Sequence, residues 1–289
     1  MNSLAEGTVA FRDGETWYTV SQPVEPAPGR LPIVALHGGP GMTHDYFLTL
    51  PGLFNDRQVV LYDQFGTGNS SRRPDWDAQE WTVDLFLDQL RGLLAHLGLA
   101  GAGAFHLLGH SWGGMLAQEY ALSNPANLAS LILTNTTASA AGIPQSMGPL
   151  LAAIGAEDPD EQRRRELFVE RHFCRVTPMP DELVRAYELV GQNPTVYFAM
   201  MGPVEADVTG TLRDWTAVPR LPEIKVPTLV LAGEYDELQP VAWGPLAERI
   251  PGARAHVFAG ASHMPFVESP EEYHSVVTAF LAEHEGTHE

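Results

Sequence analysis

Apolar positions along this chain follow two different spacings. Short runs rich in aliphatic and β-branched residues fall at Leu31–His37, Gln58–Tyr62, Phe105–Gly109, Leu128–Thr134, Thr228–Ala232 and Ala253–Phe258. A strand covered on both faces reads as a continuous apolar run, so these segments predict the core of a buried sheet. Between them, Val83, Phe86, Leu87, Leu90, Leu93, Leu94 and Leu97 recur at helical spacing and predict an amphipathic helix. Trp112–Leu122 predicts a second helix, with small residues on the face that approaches the strands. Thr8–Phe11 and Thr16–Ser21, split by Asp13-Gly14, predict a hairpin, and the Pro-rich stretch Pro23–Pro32 a connection. Strand runs alternating with helical patterns predict an α/β fold with a largely parallel sheet.

The alternation stops near Ala138. Up to Thr216 helical patterns dominate (Glu161–Phe173, Asp181–Val190), and an acidic EDPDE run stands beside a basic RRR run, as on solvated helix faces. The sheet pattern resumes at Pro227. The expected organisation is a core of residues 1–137 and 217–289, with a helical cap of residues 138–216 inserted between core strands.

Composition narrows the function classes. With 44% hydrophobic and 18% charged residues over 289 positions, the chain is globular in composition. Lys and Arg number 17 against 36 Asp and Glu, a formal charge of −19. Such a surface repels phosphate backbones and anionic lipid, so neither nucleic acid nor membrane is expected as a partner, while amines are attracted. Cys174 is the only cysteine, which excludes an intrachain disulfide and a cysteine zinc cluster. The first residues lack a basic segment followed by an apolar one, and no apolar run reaches the ~18 residues of a membrane span. A cytoplasmic location is therefore expected. No pattern in the chain specifies an oligomeric state.

Gly109-His110-Ser111-Trp112-Gly113 matches G-x-S-x-G between the predicted strand FHLLG and the helix opening at Trp112. That strand–turn–helix setting projects a serine hydroxyl out of the sheet, with glycines letting strand and helix approach. A serine hydroxyl needs a base to take its proton, and the base needs a third group to hold its tautomer. Asp236 follows the run TLVLA, and His263 lies in a small-residue loop after the last predicted strand. The expected triad is Ser111 as nucleophile, His263 as general base and then acid, and Asp236 as its orienter. His37-Gly38-Gly39-Pro40-Gly41 follows the run LPIVAL. Its backbone can turn N–H groups toward charge developing on a carbonyl oxygen, so the expected oxyanion donors are the N–H groups of Gly39 and Trp112. A phosphate-binding loop is the rival reading of this segment, but the lysine and the spacing it needs are missing. No cofactor and no metal are expected.

HGGPG, YDQFGTGNS at residues 62–70 and GHSWGG at residues 109–114 together resemble the proline iminopeptidase family of serine peptidases. The similarity is closer to its tricorn-interacting aminopeptidase branch, continuing through HGGPGMTHDY and through MGPVEADVTGTLRDW at residues 201–215. It spans nearly the whole chain apart from the early cap. The resemblance implies an α/β-hydrolase fold with a helical cap, and recognition of the substrate's free α-ammonium by two glutamates. Glu237, following Asp236, and Glu205, in Gly202-Pro203-Val204-Glu205, occupy those positions. Ala206 stands where an aromatic is common, which implies a wider pocket there. An ammonium taken out of water needs fixed anions, and paired carboxylates need a cation.

The expected function is hydrolysis of the amide bond of a terminal aminoacyl residue carrying a free amine, in a peptide or small-molecule substrate. Relatives of this kind also include amino-acid amidases and enzymes that remove an aminoacyl protecting group from polyketide intermediates of macrolactam biosynthesis, and that alternative stays open. So do a capped esterase indifferent to the amine and a ligand receptor on the same fold. His110 reads as a packed neighbour of the serine without a catalytic role. Tyr187, Tyr197, Phe198 and Trp215 read equally as pocket lining or as cap core.

Overall fold

A computed structural model of the chain describes residues 4–100, 105–204 and 206–285. Its strands are β1 (Leu4–Phe11), β2 (Gly14–Ser21), β3 (Ile33–Leu36), β4 (Val59–Tyr62), β5 (Phe105–His110), β6 (Leu128–Thr134), β7 (Thr228–Gly233) and β8 (Arg254–Phe258). They form one sheet in the order β1-β2-β4-β3-β5-β6-β7-β8. The first two make the expected hairpin, with Phe11 opposite Gly14, and β2 pairs antiparallel with β4. The remaining pairs are all parallel. After β3 the chain adds β4 on one side and β5 on the other, so the loops leaving β3 and β5 diverge. A sheet of this kind opens its ligand crevice at such a switch point, beyond the carboxyl ends of the strands.

The helices are α1 (Leu50–Leu53), α2 (Val83–His96), α3 (Trp112–Leu122), α4 (Gly142–Glu157), α5 (Glu161–Phe168), α6 (Asp181–Gln192), α7 (Thr195–Met200), α8 (Pro240–Arg249), α9 (Pro265–Glu268) and α10 (Pro270–Ala282). Alternation along β3 shows how they cover the sheet. Val34 and Leu36 face one core with Phe86, Leu90 and Leu94 of α2 and Leu116 of α3. Ile33 and Ala35 face the other, with Tyr273, Val277 and Phe280 of α10. Helix α2 begins where its pattern predicts, because the Thr82 hydroxyl accepts a bond from the Leu85 N–H (3.3 Å).

Four helices, α4 to α7, lie between β6 and β7. The two ends of this insertion meet: Ser139 bridges Thr216, the Ala140 N–H donates to Trp215 O, and the Ala217 N–H to Ala138 O. The longer helices that go beyond the sequence reading include α4, α7 and α8. Pro149 inside α4 and Pro245 inside α8 read as breakers in sequence. Tertiary packing holds these helices regardless, α4 against α5 and α8, and α8 also against β7: Ile143, Met147 and Ile154 of α4 and Leu246 of α8 are buried. The expected helix over Glu161–Phe173 is α5 to Phe168 and then a π-turn over Val169–Phe173. Among the described residues no helix is long and apolar enough to cross a membrane.

Candidate active site

Ser111 stands between β5 and α3 with φ 55° and ψ −124°, a conformation L-residues rarely adopt. Neighbouring groups hold it there. The Ser111 N–H donates to Thr134 O (3.1 Å), and the Ser111 carbonyl accepts from Thr136 Oγ1 (2.7 Å). The turn also needs glycine at position 113, since a Cβ there would lie 2.0 Å from Leu36 O.

The loop after β3 reaches the same place. Gly39 has φ 110°, and a Cβ on it would meet the Gly41 nitrogen at 2.6 Å, so the tight turn of HGGPG requires glycine there. His37 anchors the loop from inside. Its Nε2 accepts from the Gln64 N–H (2.9 Å), which leaves the proton on Nδ1 to donate to Gly38 O (3.0 Å). Burial pushes the His37 pKa down to about 4, so this neutral tautomer persists at physiological pH. Gln64 completes the connection by accepting from Trp112 Nε1 (2.7 Å). Gly39 and Trp112 both line a space beside Ser111.

Asp236 and His263 follow β7 and β8. His263 Nδ1 lies 2.7 Å from Asp236 Oδ1, and both residues are buried. The other aspartate oxygen accepts from Asn135 Nδ2 (2.7 Å), while Oδ1 also accepts from the Leu238 N–H (3.0 Å). A carboxylate so held accepts from the histidine, which places a ring proton on Nδ1. Asn135 escaped the sequence reading. Its signal is positional: it is an Asn directly after a core strand, and it takes a left-handed φ of 47° that Asn tolerates.

These groups meet around one cavity of about 300 Å³. Ser111, His263, Glu237 and Gly39 line it, together with Met42, Phe173, Tyr187, Val190, Tyr197 and Phe198. Glu237 Oε1 stands 3.6 Å from His263 Nε2, and Glu237 is itself buried. A smaller lobe, about 20 Å³, opens on the far side of Ser111 and Glu237, walled by Trp112, Met115, Ile143, Met147, Met201 and Leu238. Glu205 lies outside the described residues. Of the four aromatics left open by sequence, Tyr187, Tyr197 and Phe198 line the larger lobe. Trp215 does not; its Nε1 donates to Glu119 Oε1 (2.9 Å).

His110 does more than fill space. Its Nε2 faces the His263 carbonyl (2.9 Å) and its Nδ1 the Tyr46 hydroxyl (3.1 Å), which in turn accepts from the Gly38 N–H. Burial and the nearby His263 hold the His110 pKa well below the usual histidine range, so the ring is a neutral strut between the two loops. Among the described residues there is no cluster of three or more His, Cys, Asp or Glu side chains able to hold a metal ion.

This arrangement has the parts for acyl transfer: a half-buried hydroxyl on a strained turn facing the cavity, a buried carboxylate–imidazole pair, and backbone N–H groups beside them. The family model described as "Alpha/beta hydrolase family" matches residues 33–276, and the chain belongs to that family of hydrolases. Within it, the curated relatives are proline iminopeptidases. That of Lactobacillus helveticus (strain DPC 4571) is 32% identical, covering 98% of this chain and 99% of the relative. That of Lactobacillus delbrueckii subsp. lactis is 34% identical over 92% and 95%. Among solved structures, the proline iminopeptidase of Mycobacterium smegmatis superposes with a TM-score of 0.90 at 41% identity, covering 97% of this chain and 98% of that one. The crystal structure of VinJ superposes at 0.89 with 38% identity, over 97% and 99%.

Proposed function

We propose that this hydrolase cleaves the amide bond of a terminal aminoacyl residue with a free α-amine, as a prolyl aminopeptidase-like enzyme with helices α4–α7 as its cap. Ser111 Oγ attacks the carbonyl while His263 Nε2 takes its proton and Asp236 stabilises the resulting imidazolium. The N–H groups of Gly39 and Trp112 receive the oxyanion. His263 then protonates the departing amine, and a water activated by the same ring releases the amino acid from the acyl-enzyme.

The observation that carries this reading is the place of Glu237. Its carboxylate is buried beside the base, in the same cavity as Ser111, where an ammonium one carbon from the scissile carbonyl would sit. An N-acylated substrate brings no ammonium to that carboxylate and forgoes the ion pair, a loss on the order of several kcal/mol. The experiment is a panel of free-amine and N-acetylated aminoacyl arylamides with wild type and Glu237→Gln. Wild type should prefer the free amine, and the variant should lose about 10²-fold of that preference. Equal turnover of blocked and free substrates by wild type overturns the amine reading. By the resemblance, Glu205 shares this role, and Glu205→Gln should shift the preference in the same direction.

The two lobes bear on the leaving group. His263 lines only the larger lobe, and the group it must protonate is the departing amine. The leaving group therefore occupies the larger lobe, and the aminoacyl side chain the smaller one among Met115, Ile143, Met147 and Met201. So small a lobe favours Pro, Ala or Gly. The larger lobe is walled by apolar side chains and opens past Phe198, which is half exposed. This supports a second reading beside the peptide, in which a long apolar amide, such as an aminoacyl-protected polyketide intermediate, is the substrate. Comparing KM for alanyl arylamide with that for an alanyl amide of a long alkyl amine decides between them: a KM at least about tenfold lower for the long amide favours the second reading, and an equal or higher one the peptide.

A further inference from the structure

Helix α9 ends in a carboxylate that no step above uses. Glu268 Oε2 accepts from the N–H groups of Ser262 (2.7 Å) and Met264 (3.1 Å), the residues on either side of His263. Its Oε1 accepts from Ser262 Oγ (2.6 Å) and from the N–H of Arg175 (2.7 Å). Arg175 belongs to the helical insertion, two residues past the π-turn. One partly buried side chain thus ties the backbone around the histidine to the cap.

The same stretch of the insertion grips the aspartate loop. His172 Nδ1 faces Tyr235 O (2.8 Å), the His172 carbonyl accepts from the Glu237 N–H (3.1 Å), and the Arg175 guanidinium lies 4.2 Å from the centre of the Tyr235 ring. Phe173, between them, packs 5.4 Å from the His263 ring. The π-turn over Val169–Phe173 supplies the extra residue that lets one short segment reach both loops.

We propose that Glu268 is a positioning residue, a joint through which the seating of the cap sets the aim of His263. The inference rests on the reading of His263 as the general base. A carboxylate suits the joint because four donors converge on it and it has no proton of its own to place. The amide of a glutamine at this position can still accept from Ser262 and Met264 through its oxygen. Its NH₂ then faces Ser262 Oγ, which can accept, and the Arg175 N–H, which cannot. Glu268→Gln therefore opens the cap side of the joint and spares the base loop, whereas Glu268→Ala opens both.

The test measures three rates on wild type, Glu268→Gln and Glu268→Ala: alanyl p-nitroanilide hydrolysis, p-nitrophenyl acetate hydrolysis, and labelling of Ser111 by a fluorophosphonate. The acetate is too small to engage the cap. Glu268→Gln should lower kcat on the anilide about tenfold with the other two rates unchanged, and Glu268→Ala should lower all three about 10²-fold, the scale of a 1 Å misplacement. Anilide turnover by Glu268→Gln within twofold of wild type overturns the joint, as does an equal fall of all three rates in both variants. If Glu268→Ala does not fold, the glutamine variant decides alone. Wild type that fails to label removes the base reading and the joint with it. Equal turnover of blocked and free arylamides by wild type, with these three rates as expected, removes the substrate reading and leaves the joint standing.

Discussion

A buried histidine faces a carboxylate at each end of the central strand β5, and the two pairs behave differently. Beyond its carboxyl end, Asp236 holds His263 at Nδ1, and the ring lines the cavity with Ser111 and Glu237. At its amino end, Glu285 meets His106 Nε2 (3.0 Å) and also takes Arg30 (2.7 Å), the Leu31 N–H (3.0 Å) and Arg57. Arg57 has no exposed side-chain surface. One pair lines a space beside Ser111. The other is surrounded by cations and closed. The chemistry of the pair alone does not set the two ends apart; the cavity beside one of them does.

The largest break in this contrast should come from Asp236→Asn. The amide can present an N–H to His263, reversing its tautomer, and kcat on an aminoacyl arylamide should fall by about 10⁴-fold with the fold intact by circular dichroism. At the opposite end, Glu285→Gln should leave kcat unchanged and lower unfolding free energy by about 3 kcal/mol in urea titration, because Arg57 and Arg30 lose one of the two carboxylates they share, keeping only Asp56. A fall of kcat as large as that of Asp236→Asn would show that the two ends are not separate in function.

The smallest effect is one of pH. Burial alone would raise the Glu285 carboxyl, but the bonds from His106, Arg30 and Leu31 and the charge of Arg57 outweigh it and bring its pKa to about 2. The folded state therefore prefers the ionised form, and its stabilisation is present above the ordinary carboxyl range near 4.5 and is lost as pH falls toward about 2. Wild type and Glu285→Gln should differ by about 2 kcal/mol less in stability at pH 2 than at pH 6. An unchanged gap in acid titrations would mean that the contribution of Glu285 is not electrostatic.

Much of the site was legible because its residues are tied to strand ends. Ser111 directly follows a strand, Asp236 and His263 come three and five residues after theirs, and glycines mark the tight turns at Gly39 and Gly113. The groups that escaped are those whose role depends on a partner distant in sequence. Asn135 matters through Asp236, Glu268 through Ser262 and Arg175, and Tyr46 through Gly38 and His110. Apart from the place of Asn135 directly after a strand, nothing in the local pattern of these residues distinguishes them from ordinary polar positions. The insertion was legible as helical, yet its proline-bearing helix and its π-turn were not, since local propensity yields there to packing on the core.

The alternation of apolar runs, the strand-end serine, aspartate and histidine, and the acidic balance are properties of the chain as written, because burial on both faces and tight-turn sterics leave marks on adjacent residues. What only the tertiary structure decided is convergence. It put Glu237 against the histidine, divided the cavity into a large and a small lobe at Ser111, and joined the insertion to both loops through His172 and Glu268. Those contacts link residues tens of positions apart, and no spacing rule in one dimension encodes a distance across the fold.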